Sequence, residues 1–296
     1  APRDIRDVHN LAEALCNRPF EISSHQLFVK NFISFSTPYR SLLLFHGLGS
    51  GKTCSAINVC EVMRLYYKNM NLRKKVIVVA SPKVQEEFRK QLFNERDLVN
   101  TNGVWTINSC VGQHLLDEVN PTNIQIEKKN IVSQINNLIH KGYAFMGYGE
   151  FANYVEKKTG IDILRTKLSD DEEYSVKYNL AKHFKYSLIV IDEAHNLRVN
   201  QSMNDSKKKI IRTIKYLLGY VTRMKLLLLS ATPMYNTSTE IVNLLNIMRI
   251  NDERAPIKAH EIFAPNGDVR EDGRGVLKAA LNGYVSYVKG ENPYTF

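Results

Sequence analysis

Leu42-Leu43-Leu44-Phe45-His46-Gly47-Leu48-Gly49-Ser50-Gly51-Lys52-Thr53 runs an apolar stretch directly into a glycine-rich turn that ends in Lys-Thr. A short buried strand feeding such a turn is how a chain builds a phosphate cradle. Glycines let backbone N–H groups converge on phosphate oxygens with no Cβ in the way. The helix that follows aims its own N-terminal N–H groups at the same anion. In this pattern Gly47, Gly49, Ser50 and Gly51 shape the turn, Lys52 supplies a point charge to the phosphates and Thr53 a hydroxyl to Mg²⁺. The strict pattern asks for glycine where this chain has His46. Over these residues alone, a glycine-rich turn before an ordinary helix would read the same way; the rest of the chain separates the two.

Outward from the turn, short β-type runs alternate with longer helical stretches. Strands are predicted at Ser41–Phe45, Lys75–Ala80, Val104–Asn108, Tyr143–Gly147, Ser187–Ile191 and Lys225–Ser230. Most are near-continuous Val, Ile and Leu, as expected of strands buried on both faces. Helices are predicted at Thr53–Asn69, Gln85–Phe93, Ile131–His140, Lys208–Tyr220 and Thr239–Met248. The alternation predicts an α/β fold with a mostly parallel sheet, right-handed crossovers and helices on both faces. Ligands in such folds bind at the carboxyl ends of the strands, which is where the glycine-rich turn falls. Residues 117–141 and 156–186 are polar or of mixed charge and read as surface insertions; 264–275 reads as a loop.

Composition narrows the function classes. The chain has 296 residues, 44% of them hydrophobic, and a formal net charge of +10, which suits a polyanionic partner. Excess charge is densest over residues 201–230, with five Lys, two Arg and only Asp205 against them; a solvated helix face is the bland reading of that stretch. No apolar run is long enough for a bilayer and the N-terminus has no signal-peptide core, so an intracellular protein with no membrane contact is expected. Cys16, Cys54, Cys60 and Cys110 lack metal spacing and are expected to be reduced thiols.

Two further strand ends carry chemistry. Ser187-Leu188-Ile189-Val190-Ile191-Asp192-Glu193-Ala194-His195 delivers adjacent carboxylates after an apolar run. Asp192 is the natural second Mg²⁺ contact and Glu193 the group to orient and deprotonate an attacking water. Leu226–Pro233 presents Ser230 and Thr232 at the end of another buried run.

In order, Gly-Leu-Gly-Ser-Gly-Lys-Thr, Asp-Glu-Ala-His and Ser-Ala-Thr resemble motifs I, II and III of superfamily 2 helicases and translocases. Leu43–Thr53, Leu229–Asn236 and Tyr287–Phe296 further resemble the helicases of large nucleocytoplasmic DNA viruses, a group that includes poxvirus transcription ATPases and giant-virus relatives; His46 is then a family feature. The resemblance implies the first RecA-like lobe of an ATP- and Mg²⁺-dependent motor over the whole chain. It implies that Gln26 reads the adenine edge, and that His195, Ser230 and Thr232 couple phosphate state to movement. Ser81, Pro82 and Lys83, with Tyr148 and Gly149, would meet DNA or RNA. It also implies a C-terminal RecA-like lobe, whose arginine-rich motif has no counterpart in this chain, and a viral RNA polymerase as a partner in the transcription-associated variant. Location in the virion or infected-cell cytoplasm goes with a viral source. The chain starts without Met and stops without a terminal signal, so a longer protein is expected. A catalytically idle lobe that only binds nucleic acid is the third class, and intact Lys52, Asp192 and Glu193 speak against it.

Overall fold

The computed structural model describes residues 21–160, 168–197, 205–234 and 237–290. Cys16, Tyr235, Asn236 and the 291–296 end of the Tyr287–Phe296 stretch lie outside the described residues. In chain order, α1 (Ser24–Phe32) leads into β1 (Ser41–His46), α2 (Lys52–Asn69), β2 (Val76–Val79) and α3 (Pro82–Leu92). A hairpin, β3 (Leu98–Thr101) and β4 (Val104–Ile107), is followed by α4 (Gly112–Val119), α5 (Lys128–Gly142), β5 (Tyr143–Met146), α6 (Tyr148–Thr159) and α7 (Asp170–Phe184). Next come β6 (Leu188–Ile191), α8 (Asp205–Tyr220), β7 (Lys225–Ser230), α9 (Glu240–Asn251), α10 (Ala259–Ile262), α11 (Gly273–Leu281) and β8 (Val285–Val288).

Six strands form one sheet in the order β5-β2-β6-β7-β1-β8, and every pairing in it is parallel. Alternate residues of each strand enter opposite cores, which is why the strands read as continuous apolar runs. Leu43, Ile77, Val79, Ile189, Ile191, Leu226 and Leu228 join Phe151, Val176, Leu180, Leu217 and Met248 from α6 to α9 on one face. Leu42, Leu44, Val76, Val78, Leu188, Val190, Leu227 and Leu229 join Val29, Ile57, Phe88, Leu115 and Ile135 from α1 to α5 on the other. The fold is therefore the doubly covered α/β sheet that the sequence predicts.

The polar stretches are built into these layers by helical periodicity. α5 places Ile131, Ile135 and Ile139 in the core while its Lys and Asn side chains face out. α7 does the same with Val176, Leu180 and Phe184. The acidic run Asp170–Glu173 fills the first turn of α7, where it complements the helix dipole. There Ser169 Oγ accepts from the Glu172 N–H at 3.3 Å and Glu172 Oε2 accepts from the Ser169 N–H at 2.9 Å.

Three expectations need correction. Val104–Ile107 is a strand, but it pairs antiparallel with Leu98–Thr101 in a separate two-stranded ribbon rather than joining the sheet. Asn102 and Gly103, at φ 53° and 87°, make the tight turn between them; Asn-Gly is a hairpin signal. Val285–Val288 is a sheet strand that the sequence reading left unassigned. Cys54 and Cys110 form a disulfide, with Cα atoms 5.7 Å apart across 56 residues. Sequence spacing carries no trace of it, because the fold alone brings the start of α2 beside the loop before α4. Cys60 is free and buried.

Under α2 lies a buried ion network. Arg64 Nε and Nη2 donate to the two Glu61 oxygens at 2.9 and 2.8 Å, and Nη2 also donates to Glu118 Oε2 at 2.5 Å. Tyr143 Oη donates to Glu61 Oε1 at 2.6 Å and Lys68 Nζ to Glu118 Oε1 at 2.7 Å. Burial alone would raise the Glu118 carboxyl, but its bonds to Arg64 and Lys68 outweigh this and hold it at about 2. Removing one partner from a buried pair leaves the other charge uncompensated, at a cost of about 3–5 kcal/mol. Arg64→Met is expected to lower unfolding stability by that amount in a urea titration. Because the Glu118 pKa is depressed, its contribution is present above the ordinary carboxylate range and is lost as pH falls towards 2. The difference between wild type and Arg64→Met should therefore shrink in acid.

Candidate nucleotide-binding site

The three chemical motifs converge because their strands are neighbours. The glycine-rich turn follows β1, Asp192 and Glu193 follow β6, Ser230 and Thr232 follow β7, and β7 lies between β6 and β1. All three stand at carboxyl ends of parallel strands, facing one crevice.

The turn itself is held in a fixed shape. Gly49 and Gly51 take φ +76° and +73°, a region that side chains disfavour. Ser50 Oγ donates to Gly47 O at 2.6 Å, and the Ser55 N–H opens the helical ladder on Gly51 O at 2.9 Å. Lys52 and Thr53, half-buried, begin α2. From α1, Gln26 Nε2 donates to Gly51 O at 3.3 Å while its Oε1 accepts from the Ser23 N–H at 3.1 Å. His25 Nε2 lies 3.0 Å from Ser50 O. Gln26 thus braces the turn with one N–H and one lone pair, leaving a second of each. The bracing role of His25 was not read from the sequence; Ser24-His25-Gln26 marked the place only through Gln26.

Opposite the turn, Asp192 is buried and extends the sheet by donating its N–H to Val79 O at 3.0 Å. Its Oδ1 accepts from the Glu193 N–H at 2.8 Å. Burial pushes the Asp192 carboxyl up, while the Glu193 N–H and the Lys52 ammonium pull it down. Glu193 sits at φ +51°, a sparsely populated conformation for a residue with a side chain. Tyr148 holds this kinked turn: its hydroxyl bonds to Asp192 O and, at 3.1 Å, to Glu193 O. Burial raises the Tyr148 phenol, so it stays a donor.

A contiguous chain leads onward. His195 Nδ1 lies 3.2 Å from Glu193 Oε2 and 3.3 Å from Ser230 Oγ, and Ser230 Oγ accepts from the Thr232 N–H at 3.1 Å. The remaining candidates are at the far strands. Ser81, Pro82 and Lys83 are exposed at the end of β2, with Ser81 in the position just before α3, and Gly149 is exposed just after β5. Tyr148 is not part of that open surface: its side chain turns inward to the backbone carbonyls of Asp192 and Glu193. The signal that could have found this is its position one residue after the strand-terminal Gly147, next to the strand that pairs with β2.

The donor set fits a magnesium nucleotide. Backbone N–H groups, one ammonium, one hydroxyl and one buried carboxylate suit an ion that takes one or two protein ligands and fills the rest with phosphate and water. Among the described residues, no group of three or more His, Cys, Asp or Glu side chains is placed to hold a metal ion by itself.

A model of the SNF2-related domain matches residues 25–255, most of the chain. The chain belongs to the SNF2-related domain family. That family sits within the superfamily 2 helicases and translocases the motifs resemble. The viral resemblance is borne out too. A protein of Acanthamoeba polyphaga mimivirus that carries the provisional name of an ATP-dependent RNA helicase is 28% identical over 98% of this chain and 24% of its own length. The 70 kDa subunit of the early transcription factor of fowlpox virus is 25% identical over 83% of this chain and 29% of its own length. The SNF2-related domain described here thus spans about a quarter of these relatives. The SWI2/SNF2 ATPase core of Sulfolobus solfataricus, solved in complex with double-stranded DNA, shares the fold with a TM-score of 0.50 and 16% identity, over 94% of this chain and 46% of that one. The likeness is one of fold, the mostly parallel RecA-like α/β sheet with helices on both faces. No described helix is long and apolar enough to cross a membrane.

Proposed function

We propose that residues 1–296 are the ATP-binding lobe of a nucleic-acid helicase or translocase that hydrolyses ATP with Mg²⁺. The observation that carries this is the convergence of Lys52 and Thr53, Asp192 and Glu193, and Ser230 and Thr232 at the ends of three adjacent parallel strands. Bound Mg-ATP supplies the electrophilic γ-phosphoryl group. With the Gly47 N–H already donated to Val288 O, the turn that follows it, through Gly51, offers N–H groups to the phosphates and Lys52 adds charge; Thr53 and Asp192 would hold the ion. Glu193 orients and deprotonates the attacking water, and His195 links Glu193 to Ser230. The second N–H and lone pair of Gln26 serve the adenine edge.

Nucleic acid, DNA or RNA, meets the exposed Ser81–Lys83 and Gly149 at the β2 and β5 ends, largely through phosphate. This part is tested by salt: affinity for a duplex or single strand should fall steeply between 50 and 200 mM salt, by about 10³-fold or more if six phosphates are neutralised. Base sequence should matter little. Binding that is unchanged across that range sinks the motor reading. The fowlpox relative favours one second reading, a transcription-associated ATPase that remodels a viral RNA polymerase complex without unwinding.

A further inference from the structure

The edge strand that the sequence reading left without a role sits directly behind the nucleotide turn. β8 pairs with β1 from Leu43↔Val285 to His46↔Val288. The pairing continues into the turn, where the Gly47 N–H donates to Val288 O at 3.0 Å. Beyond it the two backbones touch. A Cβ at Gly47 would lie 2.5 Å from Gly290 Cα, and a Cβ at Gly290 would lie 3.1 Å from Leu48 O and 3.2 Å from Gly47 Cα. Gly47 is therefore required by close approach rather than by φ, and at Gly290 a side chain fits only if the neighbouring backbone gives by a few tenths of an ångström.

One side chain pair locks the same junction. His46 is fully buried, its Nε2 lies 2.9 Å from Ser286 Oγ, and its Nδ1 has no partner among the described residues. Burial, with His25 and Lys52 nearby, holds His46 down at about 4, so the ring is neutral, and among the described residues Ser286 is its one hydrogen-bond partner. The turn is thereby gripped from two sides, by His25 and Gln26 of α1 and by β8. The β8 grip is the looser. β8 is an edge strand, half-buried, with Tyr287 62% exposed, and edge elements open more readily than central ones.

We propose that Val285–Gly290 is a strap that holds the phosphate turn in its binding shape, with Ser286 and Gly290 as positioning residues, so that nucleotide binding and seating of the strap favour each other. The nucleotide half rests on the proposed ATP site. Such coupling is reciprocal: whatever loosens the strap weakens nucleotide binding, and nucleotide tightens the strap.

Hydrogen exchange read by mass spectrometry separates the parts. In the nucleotide-free chain, Ser286→Ala leaves both ring nitrogens of His46 unpartnered, and Gly290→Val drives a side chain into Leu48. Each should speed exchange of the 47–51 amides about tenfold, with 188–191 unchanged. Ser286→Thr keeps the hydroxyl and should restore slow exchange. If 47–51 exchange is unchanged in Ser286→Ala while 285–289 exchange rises, the strap does not shape the turn and the proposal falls. This arm needs no nucleotide, so it decides the strap even if the Lys52 turn binds none, and Ser286→Ala decides it if Gly290→Val does not fold. In the second arm a non-hydrolysable Mg-ATP analogue should protect 285–289 together with 47–53. Protection of the turn without the strap overturns the coupling; protection of neither in wild type overturns the ATP site instead.

Discussion

On the proposed function, the 296 residues are expected to hydrolyse ATP slowly, and a chain extended by a second RecA-like lobe is expected to turn over roughly 10³–10⁵ times faster. In the proposed motor this lobe supplies one wall of the cleft. There Lys52 and the N–H groups of the turn would neutralise charge on one side, and Glu193, its side chain 46% exposed, would meet the attacking water. With this wall alone, solvent would screen these charges and no arginine would meet the charge that develops on the transferred phosphoryl group. Preorganised donors in a dry site stabilise that charge far more than the same groups do in water. Steady-state ATPase rates of the two chains, with and without nucleic acid, decide the point. Nucleic acid should stimulate only the longer chain. Equal rates would mean that catalysis is complete within this lobe.

Glu193→Gln is expected to keep nucleotide affinity and lose about 10²–10⁴ of the hydrolysis rate, the usual worth of a general base. Gln keeps the shape of the side chain and can still bond to His195, but it cannot take a proton. Lys52→Ala has the opposite signature. It deletes a charged hydrogen bond to phosphate worth about 1.5–3 kcal/mol, so affinity should fall about 10- to 150-fold. Calorimetric titration with a Mg-ATP analogue and a single-turnover assay on both variants give the two readouts. Equal affinity for Lys52→Ala and wild type would remove the phosphate assignment, and normal turnover in Glu193→Gln would move the base elsewhere. Both substitutions sit at the crevice rim rather than in either apolar core, so folding should survive them.

The central sheet was legible because parallel strands buried on both faces leave unbroken Val, Ile and Leu runs, as in Leu188–Ile191 and Leu226–Leu229. The placement of Lys52, Asp192 and Ser230 at strand ends was legible because each follows its apolar run directly in the chain. Amphipathic helices with a narrow apolar stripe were harder. Ile131, Ile135 and Ile139 are spaced one turn apart within polar sequence, so α5 reads as a surface excursion until the sheet it covers is in place. The β3–β4 ribbon shows the same gap for strands: Val104–Ile107 has strand-like residues, but nothing local says which partner it takes.

The sequence by itself determined the glycine-rich turn, the carboxylate pair, the family and the sheet class, since each is written in contiguous residues whose backbone needs are local. Tertiary structure alone decided which distant side chains support them. Tyr148 turning inward to the Asp192–Glu193 backbone, His25 reaching Ser50 and Ser286 anchoring the buried His46 join residues with no shared local pattern. So do the Arg64–Glu118 ion pair and the Cys54–Cys110 bond. The physical reason is that burial makes such partners obligatory without fixing who they are. A buried imidazole or guanidinium must find a hydrogen bond, but only the strand order, which places β8 beside β1 and β5 beside β2, decides which residue is within reach to provide it.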